Sequence, residues 1–147
     1  MLNTIKNETI KGLLVRRGEM PVIVEIDANN KLSSMQRLVG GLIDCVEVYN
    51  PNGITDIIFG DESKVDDDCK PNRILTVNQV FNNGDESLLD VIYGDFIMLC
   101  VDDMGDHISL SDSEIERWTR EFSFTAPPYV SEELYASFFV PRFITLN

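Results

Sequence analysis

Basic residues are scarce in this sequence: 12 Lys and Arg stand against 25 Asp and Glu, and the formal net charge is −13. A partner as negative as DNA or RNA is held by basic patches, so the composition argues against direct nucleic-acid binding. It argues equally against binding to an anionic membrane surface. Two interpretations of the acidity remain open, namely solubility and recognition of a basic protein surface.

Cysteine and histidine are scarce as well. The three cysteines are odd in number and far apart, and Cys45 and Cys100 fall within apolar strand patterns. This arrangement favours buried or loop thiols over disulfides. Because His107 is the single histidine, the closely spaced Cys and His pairs of a zinc site are missing. We therefore predict neither a metal nor a cofactor.

Catalytic motifs are missing too. The sequence has no Gly-x-Ser-x-Gly elbow, no Walker loop and no Gly-x-Gly-x-x-Gly. The carboxylates Asp61, Glu62 and Asp66–Asp68 are the donor type of a two-metal nuclease, but such sites are normally surrounded by Lys and Arg. The sequence thus predicts a protein that is not an enzyme.

Long apolar runs are also missing. No stretch approaches the ~18 consecutive apolar residues that span a membrane, and residues 1–8 lack the apolar core of a secretory signal. We therefore expect a cytoplasmic protein. Its 147 residues are a typical length for one domain, which we place at 1–122. An aromatic-rich extension, 123–147, would then follow and pack on the domain or on a partner chain.

The periodicity predicts an α+β fold with a mostly antiparallel, twisted sheet of five to seven strands. Alternating apolar residues and turn signals indicate hairpins at 12–27 and 42–59. Apolar residues three or four apart predict helices at 31–39 and 112–122 that pack on this sheet. The apolar run 96–101 indicates a central strand covered on both faces.

A polar segment, Lys70–Arg73, is expected to form a turn fixed by its proline, and 78–89 is expected to be irregular. Two interpretations of this turn remain open. In the first, Asn72 and Arg73 bind an anionic metabolite or nucleotide. In the second, Arg73 forms an ion pair with one of the many Asp and Glu side chains and so holds its own loop in place. The second explains the segment more simply in so acidic a chain.

Three segments resemble one known family. They are Val39-Gly40-Gly41-Leu42-Ile43-Asp44, then Lys70-Pro71-Asn72-Arg73, then Asp90-Val91-Ile92-Tyr93-Gly94. Together they resemble the motifs of domain-of-unknown-function family 3846 over residues 12–122. The resemblance implies a small protein of a phage or plasmid, working in a bacterial host cell, with no activity assigned.

Composition and resemblance together predict a non-enzymatic accessory protein that binds a host or defence protein with a basic surface. The binding residues would be carboxylates that fall in turns: Asp61, Glu62, Asp66, Asp67, Asp68, Asp85, Glu86, Asp102, Asp103 and Asp106. The alternative is a small-ligand module that uses Asn72 and Arg73. Aromatic residues within 129–143 further predict burial on the sheet or in a homodimer interface.

Overall fold

The computed structural model describes residues 8–50, 53–61 and 70–123. Within these ranges the chain forms eight strands and three helices. In chain order they are β1 (Thr9–Val15), β2 (Val22–Asp27), α1 (Lys31–Val39), β3 (Ile43–Asn50), β4 (Gly53–Gly60), β5 (Pro71–Thr76), α2 (Val77–Phe81), β6 (Leu88–Tyr93), β7 (Phe96–Val101), β8 (His107–Ile108) and α3 (Asp112–Glu121).

The larger sheet has the strand order β2-β1-β7-β4-β3, and all of its pairs are antiparallel. Strand β8 joins it beside β7, where Cys100 pairs with Ile108. A second, two-stranded sheet consists of β5 and β6. The predicted α+β class with mostly antiparallel strands is thus confirmed, although the strands are divided between two sheets.

Both predicted hairpins and the central strand are confirmed. Strands β1 and β2 form the first hairpin and β3 and β4 the second, while β7 lies in the middle of the larger sheet. Strand β1 begins at Thr9, earlier than the predicted Gly12. Helix α1 has the predicted bounds and ends at Gly40, whose φ of 85° is a left-handed conformation that suits glycine.

The larger sheet is covered on both faces. Phe96 and Met98 of β7 face α3 and the second sheet, whereas Ile97 and Leu99 face α1, as the twofold alternation of a strand requires. All four side chains are fully buried. The continuous apolar run of β7 therefore reflects burial from two sides.

Two local predictions were wrong. The segment Lys70–Arg73 is not a turn, because β5 already begins at Pro71; proline is tolerated as the first residue of a strand, where its missing N–H matters least. The segment after Thr76 is not wholly irregular, because it contains α2. There the Thr76 hydroxyl accepts a bond from the Gln79 N–H, and the Gln79 side chain accepts one from the Thr76 N–H.

The predicted extension 123–147, with its aromatic segment 129–143, lies outside the described residues except for Ser123. In the part of the chain that the structure describes, no helix is long and apolar enough to cross a membrane.

Candidate protein-binding surface

An exposed aromatic pair lies at the end of the edge strand β3. Tyr49 of β3 stacks on Phe81 of α2, with ring centroids 6.1 Å apart and ring planes 20° from parallel. About half of each side chain remains accessible to water, 49% and 51% respectively. The capping box of α2 fixes where the short helix begins, and the helix packs against β3, which places Phe81 beside Tyr49.

Carboxylates flank this pair. The Tyr49 hydroxyl donates to Oε2 of Glu47, two residues earlier on the same strand. On the helix side, Nδ2 of Asn78 donates to Oε1 of Glu86 at 2.7 Å. Asp85 lies beside Glu86, and hydrogen bonds from the Ser87 side chain and N–H lower the pKa of Asp85. We call Glu47, Tyr49, Phe81, Asp85 and Glu86 the β3 surface.

The β3 surface lies in the half of the chain that lacks basic residues. Neither 38–61 nor 74–116 contains a Lys or Arg, while the two segments hold four and ten Asp and Glu respectively. In contrast, 8–37 holds five Lys and Arg against four Asp and Glu. Much of the negative charge of the described chain thus lies on β3, β4 and β6 and in the turns that follow α2 and β7.

The fold brings only part of this acidic half to the β3 edge, because Asp95 lies beside Arg16 and Arg17, and Asp112 lies 3.7 Å from Lys11 of β1. Strands β2 and β3 are the opposite edges of the larger sheet. Four strand spacings separate them, about 19 Å. The edge at β2, with β1 and α1, is close to neutral, whereas Asp44, Glu47, Asp85 and Glu86 make the edge at β3 negative.

The predicted acidic turns form two groups. Asp102, Asp103 and Asp106 follow β7, whose last residue pairs with Ile54 near the start of β4, so they lie close to the end of the β3–β4 hairpin. Asp61 follows Gly60 at the other end of β4, about 23 Å away for a strand of eight residues. There Asp61 lines a cleft with Asp44 and Asp90.

Within the first group, Asp102 is partly committed to its own turn, because its Oδ1 accepts bonds from the N–H groups of Met104 and Asp106, both at 2.9 Å. Asp103 is exposed. Glu62 and Asp66–Asp68, also predicted to bind, lie outside the described residues.

Among the described residues, Arg117 is a basic residue that reaches the same end of β3, where hydrogen bonds hold its side chain against the fold. Arg117 of α3 donates to Asn50 Oδ1 at 2.9 Å and to the Gln79 carbonyl at 3.2 Å. Its guanidinium carbon also lies 4.4 Å from the Trp118 ring centroid. Arg117 therefore joins α3 to β3 and α2, and its charge is balanced by Glu114, whose Oε1 lies 3.8 Å from Nη1 of Arg117.

Asn72 and Arg73 lie in the interior, where their exposed fractions are 0% and 3%. The sequence had predicted that they bind an anion or fix a loop. Nδ2 of Asn72 donates to the Val15 and Gly94 carbonyls. The Arg73 guanidinium donates to the carbonyls of Glu19 and Phe122, and to the carbonyl and Oδ1 of Asn72 itself. These contacts connect β5 with the β1–β2 turn and the end of α3, which is a structural role.

The single histidine pairs with a buried carboxylate. Nε2 of His107 lies 2.7 Å from Oδ2 of Asp56, a β4 residue that is only 7% exposed. The carbonyl of His107 accepts a bond from Nζ of Lys31 at 2.9 Å. This pair joins β8 to β4 and α1, and sequence reasoning missed it because the two residues lie 51 positions apart.

Cys45 lies near the same carboxylate. Cys45, which the strand pattern favoured as a buried thiol, is exposed. Desolvation of its thiol, followed by the charges of Asp56, Asp44 and Glu47, raises the pKa of Cys45 to about 11. A cysteine nucleophile needs the opposite, a lowered pKa and a positive neighbour. In the part of the chain that the structure describes, no three His, Cys, Asp or Glu side chains are grouped to hold a metal ion.

We therefore expect Cys45 to be unreactive at neutral pH. At pH 8 a thiol with a pKa of about 11 is ~0.1% thiolate, against ~10% for an ordinary thiol at 9.0. Iodoacetamide labelling followed by mass spectrometry should show Cys45 reacting at least tenfold more slowly in the folded protein than in urea. A labelling rate that levels off below pH 9 in the folded protein would contradict this.

The sequence contained a signal for one half of the aromatic pair. Thr76 and Gln79 have the spacing of a capping box, which predicts a helix start and hence the position of Phe81 on α2. No local pattern predicts that Phe81 meets Tyr49, which lies on another element.

Comparison with known proteins finds one family. Its model, described as a domain of unknown function (DUF3846), matches residues 10–123. No curated protein and no solved structure matches the chain.

Proposed function

The chain belongs to the DUF3846 family, a domain of unknown function, and we propose that it acts without catalysis, by binding a protein with a basic surface. The binding site is the β3 surface. The observation that carries this proposal is the exposed Tyr49–Phe81 stack between carboxylates, in a half of the chain that lacks Lys and Arg.

This combination suits a partner that presents arginine or lysine. A guanidinium or ammonium is attracted to the face of an aromatic ring and, more strongly, to carboxylates beside it. Aromatic side chains are also the residue type that most often dominates the energy of a protein interface. Here the ring faces of Tyr49 and Phe81 and the carboxylates of Glu47 and Glu86 are available to one partner.

The setting is part of the same proposal. The family resemblance implies a phage or other mobile element, and the partner would then be a host or defence protein in the bacterial cytoplasm. A protein that normally holds DNA or RNA has the required basic surface, and the β3 surface would compete for it.

Replacing both Tyr49 and Phe81 with Ala is expected to weaken partner binding at least tenfold, since truncating an aromatic hot spot of an interface costs ~2 kcal/mol or more. The measurement is affinity capture from a bacterial lysate at about 50 mM and 500 mM salt, with the captured proteins identified. The higher salt should also release the partner, because exposed charges are screened.

A matched control removes exposed apolar side chains elsewhere. Met20 and Val22, near the β2 edge, are 49% and 43% exposed, and their double Ala variant should capture the partner normally. If the Tyr49 and Phe81 variant captures the same basic protein equally well at low salt, the β3 surface is not the binding site.

A further inference from the structure

Strand β3 has one free edge. It pairs with β4 along its whole length, from Ile43 opposite Gly60 to Asn50 opposite Gly53, and among the described residues no strand pairs with its other side. Beyond Ile43 and Gly60, the N–H of Asp61 donates to the Leu42 carbonyl at 2.9 Å, so Leu42 and Asp61 form a hydrogen-bonded pair. Backbone groups alternate in direction from there. Those that point to the free edge belong to Ile43, Cys45, Glu47 and Tyr49.

One hydrogen bond agrees with this alternation. The N–H of Cys45 donates to Oδ1 of Asp44 at 2.8 Å and not to β4. The Asp44 carboxylate thus covers the Cys45 N–H at the free edge. This discourages pairing of the edge with another copy of this acidic chain, because the carboxylates of the two copies would repel each other. A segment that carries Lys or Arg would instead be attracted to these carboxylates.

A cleft of about 340 Å³ lies beside this edge, between β3, β4 and β6. Its lining includes the apolar side chains of Val46, Ile57 and Ile92 and the carboxylate of Asp44. A strand added to β3 would place alternate side chains on the Asp44 and Val46 face, towards this cleft, and the others beside Glu47 and Tyr49.

We infer that the partner supplies an extended segment with Lys or Arg at alternating positions, which adds to the free edge of β3 as a further strand. This inference rests on the proposed function and specifies how the basic partner is recognised. Backbone hydrogen bonds to β3 provide part of the affinity. The carboxylates of Asp44 and Glu47, with the ring of Tyr49, select the charge of the segment.

The first test compares two labelled nine-residue peptides of alternating Lys and Val, measured by fluorescence anisotropy at about 50 mM salt. One has an ordinary backbone, and the other is N-methylated at every residue, which keeps the charge and removes the backbone donors of both edges. The ordinary peptide is expected to bind at least tenfold more tightly. Equal binding would overturn strand addition.

The second test uses the protein. The N–H of Glu47 points to the free edge, so Glu47→Pro removes no bond to β4, and Glu47→Gln is its control for the lost charge. E47P should bind the ordinary peptide at least tenfold more weakly than E47Q, at a similar melting temperature. Equal binding by the two variants overturns the inference.

The outcomes separate the two claims. If both peptides bind wild-type protein equally in a salt-sensitive way, strand addition is wrong and a basic partner is still supported. If neither peptide binds at any salt concentration, the proposed recognition of basic segments fails as well. If E47P melts at a much lower temperature than E47Q, the comparison of the two peptides on wild-type protein decides whether a strand is added to β3.

Discussion

Replacing Trp118 with Ala is expected to lower the free energy of unfolding by ~3–5 kcal/mol, the usual cost of truncating a large buried aromatic. Trp118 is fully buried and stacks on Phe122 at a centroid distance of 5.1 Å. Its Nε1 donates to Oε1 of Glu114, which also accepts a bond from Thr55 of β4. Its removal therefore leaves a cavity under α3 and takes one donor from a partly buried carboxylate.

Thermal and urea unfolding measure this effect, and a melting temperature lowered by roughly 10–20 °C is expected. The control is Met104→Ala, since Met104 is 85% exposed and its loss should change stability by less than ~0.5 kcal/mol. Trp118→Phe should fall between the two, because it keeps most of the volume and loses the indole donor. A loss below ~1 kcal/mol for W118A would mean that α3 is not held by this side chain.

Replacing Arg73 with Ala is expected to cost a comparable ~3–5 kcal/mol, for a different reason. The cost comes mainly from acceptors that lose their donor. The buried carbonyl of Phe122 and the partly buried carbonyl of Glu19 accept bonds from Arg73 at 3.1 and 2.6 Å. A buried carbonyl without a partner is destabilising by ~1–3 kcal/mol.

Arg73→Lys tests the geometry of the site. Lysine keeps the charge but cannot reproduce the planar fork that reaches Glu19, Asn72 and Phe122 together. R73K should therefore recover less than half of the lost stability. Arg120→Ala, at an exposed position on α3, is the control and should be nearly neutral. Full recovery in R73K would show that charge alone is needed there.

Local patterns predicted much of this fold. The hairpins, α1, α3 and the central β7 follow from periods of two and 3.6 residues, which depend on neighbours in the chain. Helix α2 was missed because it has only five residues and precedes the strong turn signal Asn82–Gly84. The segment at Pro71 was misinterpreted because proline is common both in turns and as the first residue of a strand.

The candidate site was much less predictable, because it depends on contacts between distant segments. Arg73 looks like a surface cation in the sequence, yet its acceptors Glu19 and Phe122 lie 54 and 49 residues away. The acids of the turns could be counted in the sequence. Their division between two ends of β4 depends on the register of β7 against β4.

The unequal charge of the two sheet edges also has a kinetic consequence. Because the β2 edge is nearly neutral and the β3 edge is negative, the described part of the chain has an electric dipole across its strands. An approaching polycation experiences a torque that turns the β3 edge towards it before any contact forms. Salt should therefore slow association more than it speeds dissociation, and a partner would meet the correct edge in a larger share of encounters than random orientation allows.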